Sequence, residues 1–209
     1  FAEGVYTVPV SYQEANRYYE DLKARIVKAG RDASKTLIFA GMNPVIGRTE
    51  KEAQDKYQEV LSYITYEEAL TELKLFYKNV DLNQFDPDAP FPDLQDEGSD
   101  GYSYLANRIK EAAKAEGLTL RQAAFRYGTP KSEFVGTPEQ IADRMQYWFE
   151  NRACDGFFVW PPYYEGNREF IELVLPILRE RGLFREEYES TTLRGNLGLD
   201  FVKNRYARS

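Results

Sequence analysis

The chain has 209 residues, 43% of them hydrophobic, which is enough for one domain with a substantial core. Its net charge of −7 argues against a general nucleic-acid binder, and its single cysteine, which excludes an internal disulfide, leads us to expect a reducing, cytoplasmic location. Because the chain has no histidine, it cannot supply a Ser-His-Asp or Cys-His catalytic site, and we expect no metal site. No apolar run is long enough for a membrane span.

Two strand–helix units open the chain. The β-rich runs at residues 4–10 (GVYTVPV) and 36–47 (TLIFAGMNPVIG) each precede an amphipathic helical pattern. Each helix begins with a capping-box pattern, in which the N-cap side chain and the residue three positions later satisfy free backbone N–H groups. The two boxes are Ser11 with Glu14 and Thr49 with Glu52.

A long insertion follows, over residues 66–134. It holds a predicted helix at 66–80, a loop rich in Pro, Asp and Gly at 81–101, and helical stretches at 102–117 and 119–128. A long segment on the carboxyl side of a barrel strand often forms a lid or a wall of the substrate pocket. The alternative is a surface insertion with no role in binding.

The third unit runs from helix to strand. Thr137, Pro138 and Gln140 form a helix start, and the helix leads into a continuous apolar strand at residues 154–160. Another helix follows at 168–182. The remaining residues, about 184–209, have little periodicity and are predicted to form a C-terminal arm that packs on the body or on a partner subunit. Arg194 is predicted to anchor the arm through an ion pair, with a phosphate ligand as the alternative role.

Strands that alternate with helices of this length indicate a parallel sheet in an α/β fold. Three parallel strands cannot close a barrel, and they would leave two exposed edges, which proteins avoid. We therefore expect residues 1–209 to be the C-terminal part of a single barrel domain, the rest of which is a second piece, a disordered or truncated part, or an absent half.

In parallel α/β folds, binding sites lie at the carboxyl ends of the strands. The residues at or after these ends are therefore candidates, although the aromatic ones could equally serve as core. The candidate cofactor-binding residues are Tyr6, Thr7, Met42 and Trp160. The candidate substrate-pocket residues are Asn43, Phe158, Tyr163 and Tyr164. No catalytic residue is predicted.

The passage FVGTPEQIADRMQYWFE, followed by CDGFFV, resembles the last helix–strand passage of the luciferase-like flavin monooxygenases. Within that family it is similar to the branch of nitrilotriacetate monooxygenase component A, dibenzothiophene-sulfone monooxygenase and long-chain alkane monooxygenase. Four further fragments match the same pattern in order: KAGRD at 28–32, PVIGRTEKEAQ at 44–54, LVLPILRERGLFREEY at 173–188 and TLRGNLGL at 192–199.

The resemblance implies a TIM-type (β/α)8 barrel of which this chain supplies the last three strands, the insertion and the arm. It implies an FMN-dependent monooxygenase, a homo-oligomer that receives reduced FMN from a partner flavin reductase. Reduced FMN and O2 would oxidise a small organic substrate, often with C–N or C–S cleavage. Family members take many flavin contacts from the first five strands. Some also place a catalytic histidine in the C-terminal half, and this chain contains no histidine.

Three other functions stay open at this point. The same superfamily includes oxidoreductases that use flavin or deazaflavin without oxygenation. A non-catalytic, flavin-free barrel fragment would account for the absent half and the absent histidine. A glycan-active barrel would need acidic pairs at the strand ends, and the three predicted strands have no Asp or Glu there.

Overall fold

The structure is a computed structural model that describes residues 2–77, 79–94, 103–129 and 131–203. At residues 103 and 104 it describes the backbone only. The chain divides into two compact units. The first, which we call the α/β unit, comprises Phe1–Lys56 and Ser132–Ser209. The second, the helical unit, comprises Tyr57–Lys131.

Five strands are present in the described residues, and all of them belong to the α/β unit. In chain order they are β1 (Gly4–Thr7), β2 (Leu37–Met42), β3 (Val45–Ile46), β4 (Val135–Gly136) and β5 (Gly156–Val159). The main sheet is parallel with the order β1-β2-β5. Tyr6 pairs with Phe39, and Gly41 pairs with Phe158. The three predicted parallel strands are therefore confirmed.

The β-rich run at residues 36–47 forms two strands, β2 and β3. It divides after Met42, because Pro44 has no backbone N–H for a sheet ladder and restricts the residue before it. The chain then forms β3, which pairs with β4 in a separate two-stranded parallel sheet. Met42 and Asn43 were predicted to lie at the end of the strand in this run, and β2 does end at Met42, whereas a separate β3 was not predicted.

Helices fill the connections between the strands. In chain order the described helices are α1 (Tyr12–Lys28), α2 (Glu50–Ser62), α3 (Tyr66–Lys74), α4 (Ser103–Glu116), α5 (Leu120–Tyr127), α6 (Pro138–Glu150), α7 (Gly166–Glu169), α8 (Leu175–Glu180) and α9 (Leu193–Asn196). A π-helical turn, Phe170–Val174, makes α7 and α8 continuous. Among these described helices, none has the length and apolar character that a membrane crossing requires.

The predicted helix starts are confirmed. Thr137 and Gln140 form both halves of a capping box at the start of α6. Ser11 and Thr49 each accept the backbone N–H three residues later, as an N-cap does. In these two helices the glutamate carboxylate reaches the N–H one residue before the cap. Local side-chain chemistry thus determines where each of the three helices begins.

One face of the main sheet builds the core of the α/β unit. Met42 of β2 is buried there, and Phe157 of β5 packs against the same core cluster. Trp148 of α6 lies 5.1 Å, between ring centroids, from Phe134 and 6.3 Å from Phe157. Buried aromatic and aliphatic side chains of this size contribute most of the stability that offsets chain entropy.

The helical unit has a core of its own. Leu70 and Leu73 of α3 pack with Leu120 of α5 in one buried cluster. The helix predicted over 66–80 ends early, at Lys74, while the two later helices are confirmed. Residues 95–101 of the predicted Pro/Asp loop lie outside the described residues. The role of this segment as a lid remains a prediction.

The arm is tied to the start of the chain. Arg194 of α9 donates from Nη1 and Nη2 to the two carboxylate oxygens of Glu3, at 2.5 and 2.9 Å. Its Nε and Nη2 also donate to the backbone carbonyl of Asp200 at 2.9 and 2.7 Å. A two-point arginine–carboxylate contact has defined geometry. The predicted ion-pair anchor is therefore confirmed.

Candidate active site at the carboxyl ends of the parallel strands

The second face of the main sheet carries aromatic rings that are open to solvent. Side chains alternate between the two faces of a strand, so residues two apart share a face. Tyr6, Phe39 and Phe158 lie on the face opposite Met42, and Tyr6 and Phe158 are more than half exposed. Their rings meet edge to face, with centroids 5.3 Å apart for Tyr6–Phe158 and 5.9 Å for Phe39–Phe158. We call Tyr6, Phe39, Gly41 and Phe158 the open face.

Gly41 lies at the centre of the open face. A Cβ atom at this position would lie 2.6 Å from the Tyr6 Oη atom and 3.2 Å from the ring carbon that bears it. The Tyr6 ring therefore crosses from β1 over β2, in the space that a side chain at position 41 would fill. Within the described residues, the Tyr6 phenol has no hydrogen-bond partner, so it is available to a ligand.

Two of the candidate cofactor-binding residues have their side chains on the other face. Met42 is only 2% exposed and packs in the core beside α6. Thr7 pairs with Ala40, and paired residues share a face, so its side chain lies on the helix-packed side as well. The structure thus brings Tyr6 and Phe158 together and separates Thr7 and Met42 from them.

Trp160 and Asn43 follow the open face at its carboxyl end. Trp160 is 75% exposed, and its backbone N–H continues the ladder by donating to the Met42 carbonyl at 2.8 Å. The Asn43 side chain donates from Nδ2 to the Trp160 carbonyl at 2.8 Å. The Asn43 carbonyl in turn accepts from Ser132 Oγ at 2.5 Å. Asn43 therefore joins the ends of β2 and β5 and holds the Trp160 backbone.

The tyrosine pair after Trp160 divides into one anchored and one exposed residue. The Tyr163 phenol donates to Glu169 Oε2 at 2.5 Å and accepts from the backbone N–H of Ile46 at 3.1 Å. Burial, followed by the hydrogen bond to Glu169, raises the pKa of Tyr163 well above its ordinary value. Tyr164 is 97% exposed. The Tyr163 phenol thus makes its hydrogen bonds, one as donor and one as acceptor, within the protein.

At the amino ends of the strands, Asp155 joins α1 to the sheet. Its Oδ2 accepts the Ile38 backbone N–H and pairs with Lys23 Nζ, both at 2.8 Å, and its Oδ1 accepts the Tyr19 hydroxyl at 2.9 Å. Burial, and then the bond to Asp155, raises the pKa of Tyr19 to about 12. All of these groups satisfy one another, which is what a structural network requires.

Sequence reasoning missed two residues of the open face, Phe39 and Gly41, and the two side chains that engage Tyr163, namely Glu169 and Lys56. Strand alternation across β2 could have placed Phe39 and Gly41 beside Tyr6. No local pattern pointed to Glu169 or Lys56. In the described part of the chain, no cluster of three or more His, Cys, Asp or Glu side chains could hold a metal ion.

The chain is similar to known monooxygenases along nearly its whole length. N-acetyl-S-(2-succino)cysteine monooxygenase of Bacillus subtilis (strain 168) is 38% identical over 210 residues, which cover 99% of this chain and 48% of that protein. Nitrilotriacetate monooxygenase component A of Aminobacter aminovorans is 36% identical over 210 residues, covering 99% and 46%. The chain spans about half the length of these curated relatives. The predicted branch of the family is thereby confirmed.

The fold matches part of a solved enzyme. The crystal structure of riboflavin lyase with modified FMN and substrate riboflavin matches with a TM-score of 0.74 and 30% identity, covering 95% of this chain and 43% of that one. The prediction that the chain forms part of a luciferase-like TIM-type barrel is confirmed. The family description "luciferase-like monooxygenase" matches residues 1–156. The chain therefore belongs to the luciferase-like monooxygenase family.

Proposed function

We propose that the protein is an FMN-dependent monooxygenase, the oxygenase component of a two-component system, which oxidises a small organic substrate with O2. The observation that supports this most directly is the open face. It is a cluster of aromatic rings toward the carboxyl ends of parallel strands, where barrel enzymes bind their ligands. Reduced FMN, when bound, supplies the electrons that activate O2, and the protein supplies position and exclusion of water.

The residues present fit one wall of such a flavin site. Phe39 and Phe158 offer apolar ring surface, and Gly41 lets a ligand or the Tyr6 ring approach the backbone closely. The Tyr6 phenol can donate or accept a hydrogen bond at the edge of a bound ring. Trp160 and the exposed Tyr164 would cover the mouth of the pocket.

We infer that other contacts come from the rest of the barrel. In the part of the chain that the structure describes, β1 and β5 are the two edges of the three-stranded sheet, so each offers an edge to a further strand. The partner in turnover would be a flavin reductase that delivers reduced FMN. The names of the relatives, which include an N-substituted thioether amino acid and nitrilotriacetate, support a substrate with C–S or C–N bonds. We also propose a homo-oligomer that works in the cytoplasm, where such reductases act.

The test is a titration of the full-length protein with oxidised and reduced FMN under anaerobic conditions, followed by O2 uptake with a flavin reductase and candidate substrates. We expect tighter binding of reduced FMN than of oxidised FMN, and substrate-dependent O2 uptake above the rate of free-flavin autoxidation. Equal affinity for both flavin states, with no uptake above autoxidation, would contradict the proposal.

A further inference from the structure

The edge of β3 that faces away from β4 is completed by side chains. On the β4 side, the Val45 N–H donates to the Phe134 carbonyl at 2.9 Å and the Gly47 N–H donates to the Gly136 carbonyl at 3.1 Å. In a parallel pair, the residue between two such bonds directs its own backbone groups to the other edge. For β3 that residue is Ile46.

Two side chains take the place of a neighbouring strand at this edge. The Ile46 N–H donates to the Tyr163 phenol at 3.1 Å, and the Ile46 carbonyl accepts from Lys56 Nζ at 2.8 Å. Glu169 closes the arrangement, since its Oε2 accepts the Tyr163 phenol at 2.5 Å and its Oε1 pairs with Lys56 Nζ at 2.9 Å. We call the Ile46 backbone, Lys56, Tyr163 and Glu169 the Ile46 network.

The members of the Ile46 network depend on one another. The side chains of Lys56 and Glu169 are both largely covered, and Glu169 is the nearer of two carboxylates to Lys56 Nζ, at 2.9 Å against 3.8 Å for Glu52. The phenol is donor to one member and acceptor to another, and loss of either partner would leave a covered polar group unsatisfied. Tyr163 is therefore held at a defined position relative to β3.

The position of Tyr163 constrains Trp160, because the segment between them is short and stiff. Pro161 and Pro162 lie between Trp160 and Tyr163, and each fixes its own φ angle. The start of α7 packs on the segment so closely that a Cβ at Gly166 would lie 2.2 Å from the Pro161 Cβ. The segment is thus held at its beginning by β2 and at its end by the Ile46 network.

We propose that Tyr163 is a positioning residue, which through the Ile46 network fixes the Trp160 ring at the mouth of the open face and so sets the affinity for what stacks there. The inference that this ligand is reduced FMN or the substrate of the enzyme rests on the proposed function. The inference that Tyr163 fixes the position of Trp160 does not rest on it. The position of Trp160 and the affinity for the ligand can be measured separately.

The experiment uses the full-length protein labelled with 5-fluorotryptophan and observed by 19F NMR. The 209 residues contain two tryptophans, the exposed Trp160 and Trp148, which is 3% exposed and serves as an internal reference. Trp160→Phe and Trp148→Phe assign these two signals among all the tryptophan signals of the full-length protein. We expect Tyr163→Phe to shift or broaden the Trp160 signal and to leave the Trp148 signal in place. The matched control is Tyr188→Phe, which removes the same atom from an exposed tyrosine of the arm.

The functional readout is the dissociation constant for reduced FMN, together with the separate changes in KM and in kcat. We expect Tyr163→Phe to raise the dissociation constant or KM by roughly 2- to 10-fold, the range for one lost hydrogen bond, while kcat changes less. Glu169→Gln keeps an acceptor for the phenol and loses the charge pair with Lys56. It should move the Trp160 signal in the same direction by a smaller amount.

An unchanged Trp160 signal in folded Tyr163→Phe overturns the proposal, and so does an equal change at Trp148, which would indicate general loosening. If Tyr163→Phe does not fold, an unchanged Trp160 signal in Glu169→Gln overturns it. A wild-type protein that binds no flavin would refute the proposed function, while the Trp160 signals would still decide whether Tyr163 positions the ring.

Discussion

Gly41 and Tyr6 show how a single side-chain absence shapes the candidate site. The Tyr6 ring occupies the space above Gly41, with its phenol oxygen 2.6 Å from where a Cβ would lie. Only glycine leaves this space, since every other residue carries the Cβ. The far end of a flexible ring can move aside, so a substitution here should affect the position of the phenol more than the stability of the sheet.

We therefore expect Gly41→Ala to weaken binding of reduced FMN several-fold while the free energy of unfolding changes by no more than about 1 kcal/mol. Titration of reduced flavin and urea unfolding measure the two effects. Gly4→Ala is the matched control, because a Cβ there would make an ordinary 3.8 Å contact with Phe39. In a Tyr6→Ala background the Gly41→Ala effect should vanish, and its persistence would show that Tyr6 is not the group displaced.

Cys154 illustrates the opposite case, a reactive group made inert by burial. The side chain is buried beside the main sheet, and burial raises the pKa of its thiol to about 12, against an ordinary value near 9.0. The thiolate that reacts with disulfide reagents is thus scarce at neutral pH.

We expect the native protein to resist modification by a thiol reagent at pH 8, with labelling of Cys154 appearing only as denaturant unfolds the chain. Spectrophotometric labelling across a urea series checks this. Rapid labelling of Cys154 in the absence of urea, at a rate independent of urea, would contradict the burial argument.

At the scale of elements, helix α6 begins where its capping box places it. Thr137 Oγ1 accepts the Gln140 N–H at 3.4 Å, and Gln140 Oε1 accepts the Thr137 N–H at 3.0 Å. We expect Thr137→Ala to lower the free energy of unfolding by about 1 kcal/mol, because it leaves an N–H at the helix start without its acceptor. Urea unfolding measures the loss, and Thr191→Ala, at an exposed threonine of the arm, should cost much less.

Helix α1 is joined to the sheet by Tyr19, and that contact predicts a pH dependence. The pKa of Tyr19 is raised to about 12 in the folded protein, against an ordinary value of 10.0, so folding favours the protonated phenol. Its contribution to stability is fully present below pH 10 and is lost as the pH rises from 10 to 12.

We expect the free energy of unfolding of the wild type to fall more steeply than that of Tyr19→Phe between pH 10 and 12, because only the wild type carries this phenol. Urea unfolding at intervals across that range measures both curves. Parallel curves would mean that the phenol has the same pKa in the folded and unfolded chains.

At the scale of the whole molecule, the edges of the main sheet determine whether the polypeptide self-associates. Along β5, apolar side chains line a groove of about 310 Å³, between that strand and the α6 and α8 helices. An unpaired strand edge beside an apolar groove is a surface on which strands associate. In a whole barrel we infer that a further strand covers it.

A polypeptide of these 209 residues alone should therefore self-associate with rising concentration, as measured by sedimentation velocity. Val159→Lys, which places a charge in the groove at the β5 edge, should reduce the association. Val27→Lys on the exposed surface of α1 makes the same change elsewhere and should not. A polypeptide that stays monomeric at every concentration would contradict the prediction.

Local interactions explain which features the sequence by itself determined. The helix starts at Ser11, Thr49 and Thr137 depend on residues three positions apart, and the apolar runs identify the three parallel strands. The family resemblance followed from short fragments in order, and it led to the barrel fold. The helix starts and the strands each have their signal within a few residues, so periodicity and capping chemistry were sufficient for them, whereas the barrel was implied by the resemblance.

Only the tertiary structure decided which face of the sheet each candidate occupies, and what Tyr163 contacts. Tyr163 meets Ile46 across 117 positions of the chain, and neither local sequence carries a sign of the other. Met42 and Tyr6 are both at strand ends, but the register between β1 and β2 places their side chains on opposite faces. Such outcomes depend on pairing register and on long-range packing, which local sequence patterns do not specify.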